Sequence, residues 1–162
     1  MSQQLDQHVS IIPLAPLHQP DIDRLMLDIA NEFVESIATA ETKKIIELSL
    51  LPTDKYWVAQ VNGKVIGTIG FTMIANSTIV LKRVFLANDH RGKGIANALL
   101  TTVLDWVAHH QIRYIYLGTM TQYKAAQKFY ENNGFTRISE ADLPADFPKF
   151  LLDSVFYRLV VG

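Results

Sequence analysis

Residues 81–96, LKRVFLANDHRGKGIA, constrain this chain more than any other stretch. An apolar strand-like run enters a short polar loop, and the loop passes through Arg91-Gly92-Lys93-Gly94 into a helix-like pattern. Glycine has no Cβ, so Gly92 and Gly94 let the backbone bend tightly and approach a ligand. The first N–H groups of a helix lack intrahelical partners, and the helix dipole favours negative charge beside them. With the charges of Arg91 and Lys93 added, the segment reads as a cradle for a pyrophosphate. It is not a P-loop, because Ile95 follows Gly94 where that motif needs Lys and then Ser or Thr. It is not a dinucleotide fingerprint either, since position 97 is Asn97 and no strand-helix-strand unit precedes it.

The flanking pattern places this cradle in a mixed α/β sheet. Residues 8–15 read as a short strand stopped by Pro13 and Pro16. Pro20-Asp21 opens a helix whose Ile22, Leu25, Met26, Ile29 and Phe33 share one face. Residues 39–50 repeat that logic with Ile45, Ile46 and Leu48, and Pro52 ends them. Residues 56–61 and 65–74 read as strands joined at Asn62-Gly63, a strong hairpin signal, and Asn76-Ser77 turns the chain into a third strand at 78–86. A helix is expected over 93–110, with Ile95, Leu99, Val103, Trp106 and Val107 on its apolar face. A strand at 113–117, a helix at 124–133 closed by Asn133-Gly134, and strands at 135–138 and 155–160 follow. Trp57 and Trp106 read as core. The expected architecture is a single 1–162 domain with a mixed, mostly antiparallel central sheet of six to seven strands flanked by about four helices.

Composition removes several function classes. The 162 residues include no cysteine, so disulfides, thiolate metal sites and a cysteine nucleophile are excluded. Fifteen basic residues face sixteen acidic ones, which gives no general nucleic-acid footprint. The N-terminus has no apolar leader core, and no run approaches the ~18 apolar residues a membrane helix needs. A soluble, cytoplasmic protein is the expectation. His109-His110 has no third ligand at a suitable spacing, so no metal site is expected. Asp153-Ser154 has no histidine partner for a hydrolase triad.

Arg91-Gly92-Lys93-Gly94-Ile95-Ala96 resembles the Arg/Gln-x-x-Gly-x-Gly/Ala signature of the GNAT acetyltransferase superfamily. Residues 62–67 (NGKVIG) resemble its hairpin between the second and third strands. Residues 81–86 (LKRVFL) resemble its fourth strand, and residues 129–135 (FYENNGF) its late helix-to-strand motif. The resemblance implies a GNAT fold, with the fourth and fifth strands splayed and acetyl-CoA as co-substrate. Its pantetheine arm would pair with the backbone of Val84, Phe85 and Leu86. Its phosphates would sit on the N–H groups from Arg91 through Ile95 to Ala96. Thr119, Tyr123 and Ala126 are further expected cofactor neighbours, and Tyr123 stands where relatives often have asparagine.

By the same resemblance Tyr130 protonates the departing thiolate, a role open to a phenol with pKa near 10. An amine acceptor also needs a base, because an ammonium is not a nucleophile. Many relatives carry a glutamate on strand four where this chain has Val80. Glu32 and Glu35, three apart on the first helix, are the candidate carboxylates, and His90 a further titratable neighbour. Residues 147–156, with their aromatic residues and Asp153, are expected to wall the acceptor. The reading is an N-acetyltransferase acting on a primary amine of a small molecule by direct attack. A catalytically silent CoA-binding sensor is the alternative. No nucleic-acid or membrane partner is expected; dimers are common in the resembling family.

Overall fold

The computed structural model describes residues 8–30, 52–149 and 153–161. The elements run β1 (Ser10–Pro13), a 3-10 turn (Pro16–His18), α1 (Gln19–Ala30), β2 (Asp54–Val61), β3 (Lys64–Ile74) and β4 (Thr78–Leu86). A 3-10 turn (Asn88–His90), α2 (Ile95–Ala108), β5 (Tyr114–Thr119), α3 (Lys124–Asn132), β6 (Thr136–Ile138) and β7 (Val155–Val160) complete the order. The strands form a seven-stranded sheet in the order β1-β2-β3-β4-β5-β7-β6. β1–β2, β5–β7 and β6–β7 are antiparallel, and β4–β5 is parallel. This is the mixed, mostly antiparallel α/β sheet the pattern predicts, with three α-helices among the described residues. The helix expected at 39–50 lies outside them, as do Phe33, Glu32 and Glu35.

The described chain falls into two compact units. Unit 1 comprises Met1–Phe71 and Arg83–Trp106, and unit 2 comprises Thr72–Lys82 and Val107–Gly162. In unit 1, α1 buries Ile22, Leu25, Met26 and Ile29, each worth roughly 1.5–3 kcal/mol on leaving water. Asp21, in its first turn, accepts the Val65 N–H at 3.0 Å and ties the helix to the start of β3. The β2–β3 turn has Asn62 and Gly63 at φ 52° and 78°, the double left-handed geometry that suits a tight hairpin. Phe71 packs between Trp57 (centroids 6.0 Å) and Trp106 (4.8 Å).

α2 starts at Ile95, two residues later than the apolar pattern suggests, because Gly92 and Gly94 both sit at positive φ (77° and 84°). It ends at Ala108 rather than His110: His110 N–H bonds Val107 O at 3.2 Å in a turn, and Gln111 follows at φ 58°.

In unit 2, β5 pairs with β7 from Tyr114↔Val160 to Thr119↔Val155. On its other side the ladder with β4 comprises Thr78↔Tyr114, Ile79↔Ile115 and Val80↔Tyr116. β5 therefore follows β7 to its end, while the described β4 pairing stops at Tyr116.

Candidate active site

The glycine segment forms a bent lead-in to α2. Gly94 O accepts the Ala98 N–H at 3.1 Å, so Gly94 caps the helix and the N–H groups of Ile95, Ala96 and Asn97 begin its first turn. The Ile95 side chain is buried and anchors that turn from below, while Arg91, Gly92 and Lys93 are exposed and Ala96 is half-buried. A Cβ added at Gly92 would meet nothing within 4 Å. Glycine is favoured there by its left-handed backbone rather than by crowding.

Arg91 does more than add charge. Its Nε and Nη2 donate to Leu86 O at 3.1 and 3.0 Å, and its Nη1 donates to Asn88 Oδ1 at 3.2 Å. The guanidinium fork thus folds the loop back onto the end of β4. His90 Nδ1 lies 3.1 Å from Asp89 Oδ1.

The end of β4 is shaped by a break in its own backbone. Arg83 lies at φ 56°, a strained region for a residue with a Cβ. The buried Thr68 hydroxyl donates to Arg83 O at 2.6 Å and holds it. Val84, Phe85 and Leu86 follow, all half-buried. A Cβ at Gly67 on β3 would come within 3.1 Å of both Phe85 O and Leu86 Cδ1, so Gly67 permits this close approach. Neither the Arg83 break nor the Arg91 clamp has a local sequence signal.

Unit 2 carries Tyr130, and the end of α3 explains its placement. Phe135 N–H bonds Tyr130 O at 3.1 Å, Gly134 N–H bonds Glu131 O at 3.2 Å, and Gly134 has φ 90°. That is the Schellman closure, and the Tyr130 and Phe135 rings (centroids 5.5 Å) make its accompanying apolar contact. Tyr157 packs against the same ring at 5.8 Å. Tyr130 is 5% exposed. Burial first, then the charges of Asp153 and Tyr157, push its pKa well above the usual tyrosine value, so the hydroxyl keeps its proton at neutral pH. Tyr157 donates to Glu131 Oε2 at 2.6 Å. Burial, followed by that hydrogen bond, pushes its pKa up to about 12.

The other expected cofactor neighbours in this unit lie just before and on α3. Thr119 is buried at the end of β5, and its carbonyl accepts the Ser154 N–H at 2.9 Å. Tyr123 occupies the N-cap of α3, and Tyr123 and Ala126 are half-buried. The buried Gln127 was not anticipated from sequence. Its Nε2 donates to Met120 O at 2.9 Å and Thr121 O at 3.1 Å, which braces the segment between β5 and α3.

A second group in unit 1 was also unanticipated. The Tyr56 hydroxyl and Asp54 Oδ2 are buried without a hydrogen-bond partner. Burial raises the Tyr56 pKa; Arg83 opposes the shift and Asp54 adds to it. A Cβ at Gly70 would sit 2.0 Å from the Tyr56 ring, so the phenol lies flat on β3 only because residue 70 is glycine.

Residues 22–135 match the model of the acetyltransferase (GNAT) family. The chain belongs to that family. It is 33% identical over 111 residues to N-acetylaspartate synthetase of Xenopus tropicalis, covering 67% of this chain and 41% of that protein. It is 31% identical over 104 residues to a probable N-acetyltransferase, camello, of the same organism, covering 63% of this chain and 48% of that protein. The chain thus spans less than half the length of these two relatives. Among solved structures, a GNAT-family acetyltransferase from Staphylococcus aureus Mu50 superposes with TM-score 0.88 at 31% identity, covering 95% of this chain and 99% of the other. An N-acetyltransferase from Thermoplasma acidophilum in complex with coenzyme A shares the fold, with TM-score 0.75 at 18% identity and coverage of 94% and 99%. Among the described residues no helix is long and apolar enough to cross a membrane, and no group of three or more His, Asp or Glu is arranged to hold a metal ion.

Proposed function

We propose that this chain is an acetyl-CoA-dependent N-acetyltransferase that acetylates the primary amine of a small molecule by direct attack. The observation that carries the reading is the pair of left-handed glycines, Gly92 and Gly94, on either side of the exposed Lys93 and leading from Arg91 into the first N–H groups of α2. This arrangement fits a pyrophosphate through backbone donors and dipole, with open space where a side chain at 92 would stand. When bound, acetyl-CoA supplies an activated acyl carbon and a thiolate leaving group. Arg91 to Ala96 hold the phosphates, and the backbone of Val84, Phe85 and Leu86 holds the pantetheine arm. Arg91 shapes its own loop through Leu86 O, so it acts on binding through geometry as well as charge. Thr119, Tyr123 and Ala126 border the cofactor. Tyr130, protonated and fixed by the α3 closure, gives its proton to the sulfur. A small amine as acceptor is supported by relatives named for a small amino-acid product.

Val80, buried and apolar, favours one alternative: a protein that binds CoA species and turns nothing over. Thermal shift separates the cofactor question from the catalytic one. A ligand at ~100 times its Kd stabilises by about 2.7 kcal/mol, roughly 5–10 °C in Tm at this chain length. Acetyl-CoA and CoA are expected to give that shift, ATP and NAD not, and Gly94→Glu to abolish it. No shift with saturating acetyl-CoA overturns the proposal.

A further inference from the structure

The segment before β7 seats a carboxylate directly on β5. A Cβ built on Gly118 would lie 2.5 Å from Asp153 Oδ2 and 3.1 Å from Phe156 Cε1. The carboxylate therefore occupies the space that any other residue at 118 would fill. The backbone next to it is fixed: Ser154 N–H donates to Thr119 O at 2.9 Å, and Thr119↔Val155 and Gly118↔Phe156 are register pairs of the β5–β7 ladder.

The face on which it sits follows from strand geometry. Side chains alternate along a strand, so a Cβ at 118 shares a face with Tyr116. Tyr116 is the β5 partner of Val80, and cross-strand partners share a face. Asp153 Oδ2 thus lies on the Val80 face of the sheet, two residues or about 6.6 Å further along β5. There the described β4–β5 ladder has already ended. Asp153 is half-buried rather than sealed from solvent.

We infer that Asp153 is the proton acceptor for the amine substrate, in place of the carboxylate that β4 lacks at Val80. The inference rests on the transferase reading and completes it. Asp153 takes one proton from the substrate ammonium. The freed nitrogen lone pair forms the C–N bond as the C–S bond breaks. Tyr130 gives its proton to sulfur and regains one from the nitrogen, and the proton on Asp153 passes to solvent. One proton is released per acetyl group transferred. Burial and the Asp153 charge both hold Tyr130 protonated, as this division of labour needs. The titratable and charged groups around the pair are Tyr157 on β7 with Glu131 bonded to its hydroxyl, Arg137 on β6 beside Tyr157, Arg158 on β7 as the register partner of Tyr116, and Lys82 on β4, two residues beyond Val80 and so on the same face. β5 adds Tyr116 on the same face as Asp153, while its Leu117, Gly118 and Thr119 do not titrate.

The test uses the full chain, acetyl-CoA, and L-aspartate, spermidine and phenethylamine as probe amines, with free thiol as the readout. Wild type is expected to acetylate at least one probe. Asp153→Asn is expected to keep the acetyl-CoA thermal shift and to lose about 10²-fold or more in kcat/KM at pH 7. Its activity is expected to recover as pH rises toward the amine pKa, about 10. Gly118→Ala keeps the carboxylate but displaces it, and is expected to show the same pH-dependent loss. It decides the matter if Asp153→Asn does not fold. A variant with the wild-type pH profile, or one depressed equally at every pH, overturns the base assignment alone. A wild type that binds acetyl-CoA but acetylates no probe overturns the transferase reading and the base with it.

Discussion

Replacing Gly92 separates backbone from space at the cradle. The φ of 77° is unfavourable for a residue with a Cβ, yet a Cβ there would touch nothing within 4 Å. Gly92→Ala therefore carries only the left-handed penalty, about 1–2 kcal/mol. For a chain of 162 residues that corresponds to a fall in Tm of about 2–8 °C. Relaxing the strain by moving φ to negative values would turn the loop N–H groups away, so acetyl-CoA affinity should fall as well. Asparagine is larger than alanine but tolerates the left-handed region. Gly92→Asn should then be closer to wild type in both Tm and acetyl-CoA affinity, measured by differential scanning fluorimetry and isothermal titration. If asparagine is as damaging as alanine, or more so, crowding controls this position and the backbone argument is wrong.

Arg91→Lys keeps the charge but loses the fork onto Leu86 O. Acetyl-CoA affinity should drop about 2- to 10-fold, the worth of a typical net hydrogen bond, and an unchanged affinity would reduce Arg91 to a point charge. Gly70→Ala drives a methyl into the Tyr56 ring. Overpacking of this kind costs about 1–3 kcal/mol, read as a lower urea midpoint with unchanged slope. Raised tyrosine pKa values also predict alkaline behaviour. Tyr130, Tyr56 and Tyr157 bind their protons more tightly folded than unfolded, where the value is 10.0. Their contribution is complete below pH 10.0 and is lost as pH rises through the folded values, about 12 for Tyr157. Tm should therefore decline from about pH 10 upward, and Tyr157→Phe should flatten the decline.

The sequence was most informative where pattern and punctuation agree. β4 and β7 occupy residues 78–86 and 155–160 as the pattern predicts, because Asn76-Ser77 and the polar Asp153-Ser154 delimit apolar runs. The buried face of α1 was legible for the same reason. Boundaries slipped where backbone conformation overrode periodicity, as at Lys93, whose flanking glycines are left-handed. Features that depend on long-range proximity had no local signal. Asp153 stands 35 positions from Gly118, and nothing in either neighbourhood announces that the glycine makes room for the carboxylate. Arg83 at φ 56° is equally silent, since a positive φ is readable in advance only where glycine or asparagine stands. Of the features proposed to serve the cofactor, the glycine loop and the Phe129-Tyr130 motif are legible in the sequence. The clamp by Arg91 and the brace by Gln127 emerge only from the fold.

The most direct test of the central claim is the rate of thiol release from acetyl-CoA with a primary amine present, for wild type and Tyr130→Phe under identical conditions. The account predicts amine-dependent release by wild type. It predicts a fall in kcat of about 10²-fold or more in the variant, with the acetyl-CoA thermal shift retained. Amine-dependent release at the same rate in both proteins would contradict the assignment of Tyr130, and no amine-dependent release by wild type would contradict the enzyme.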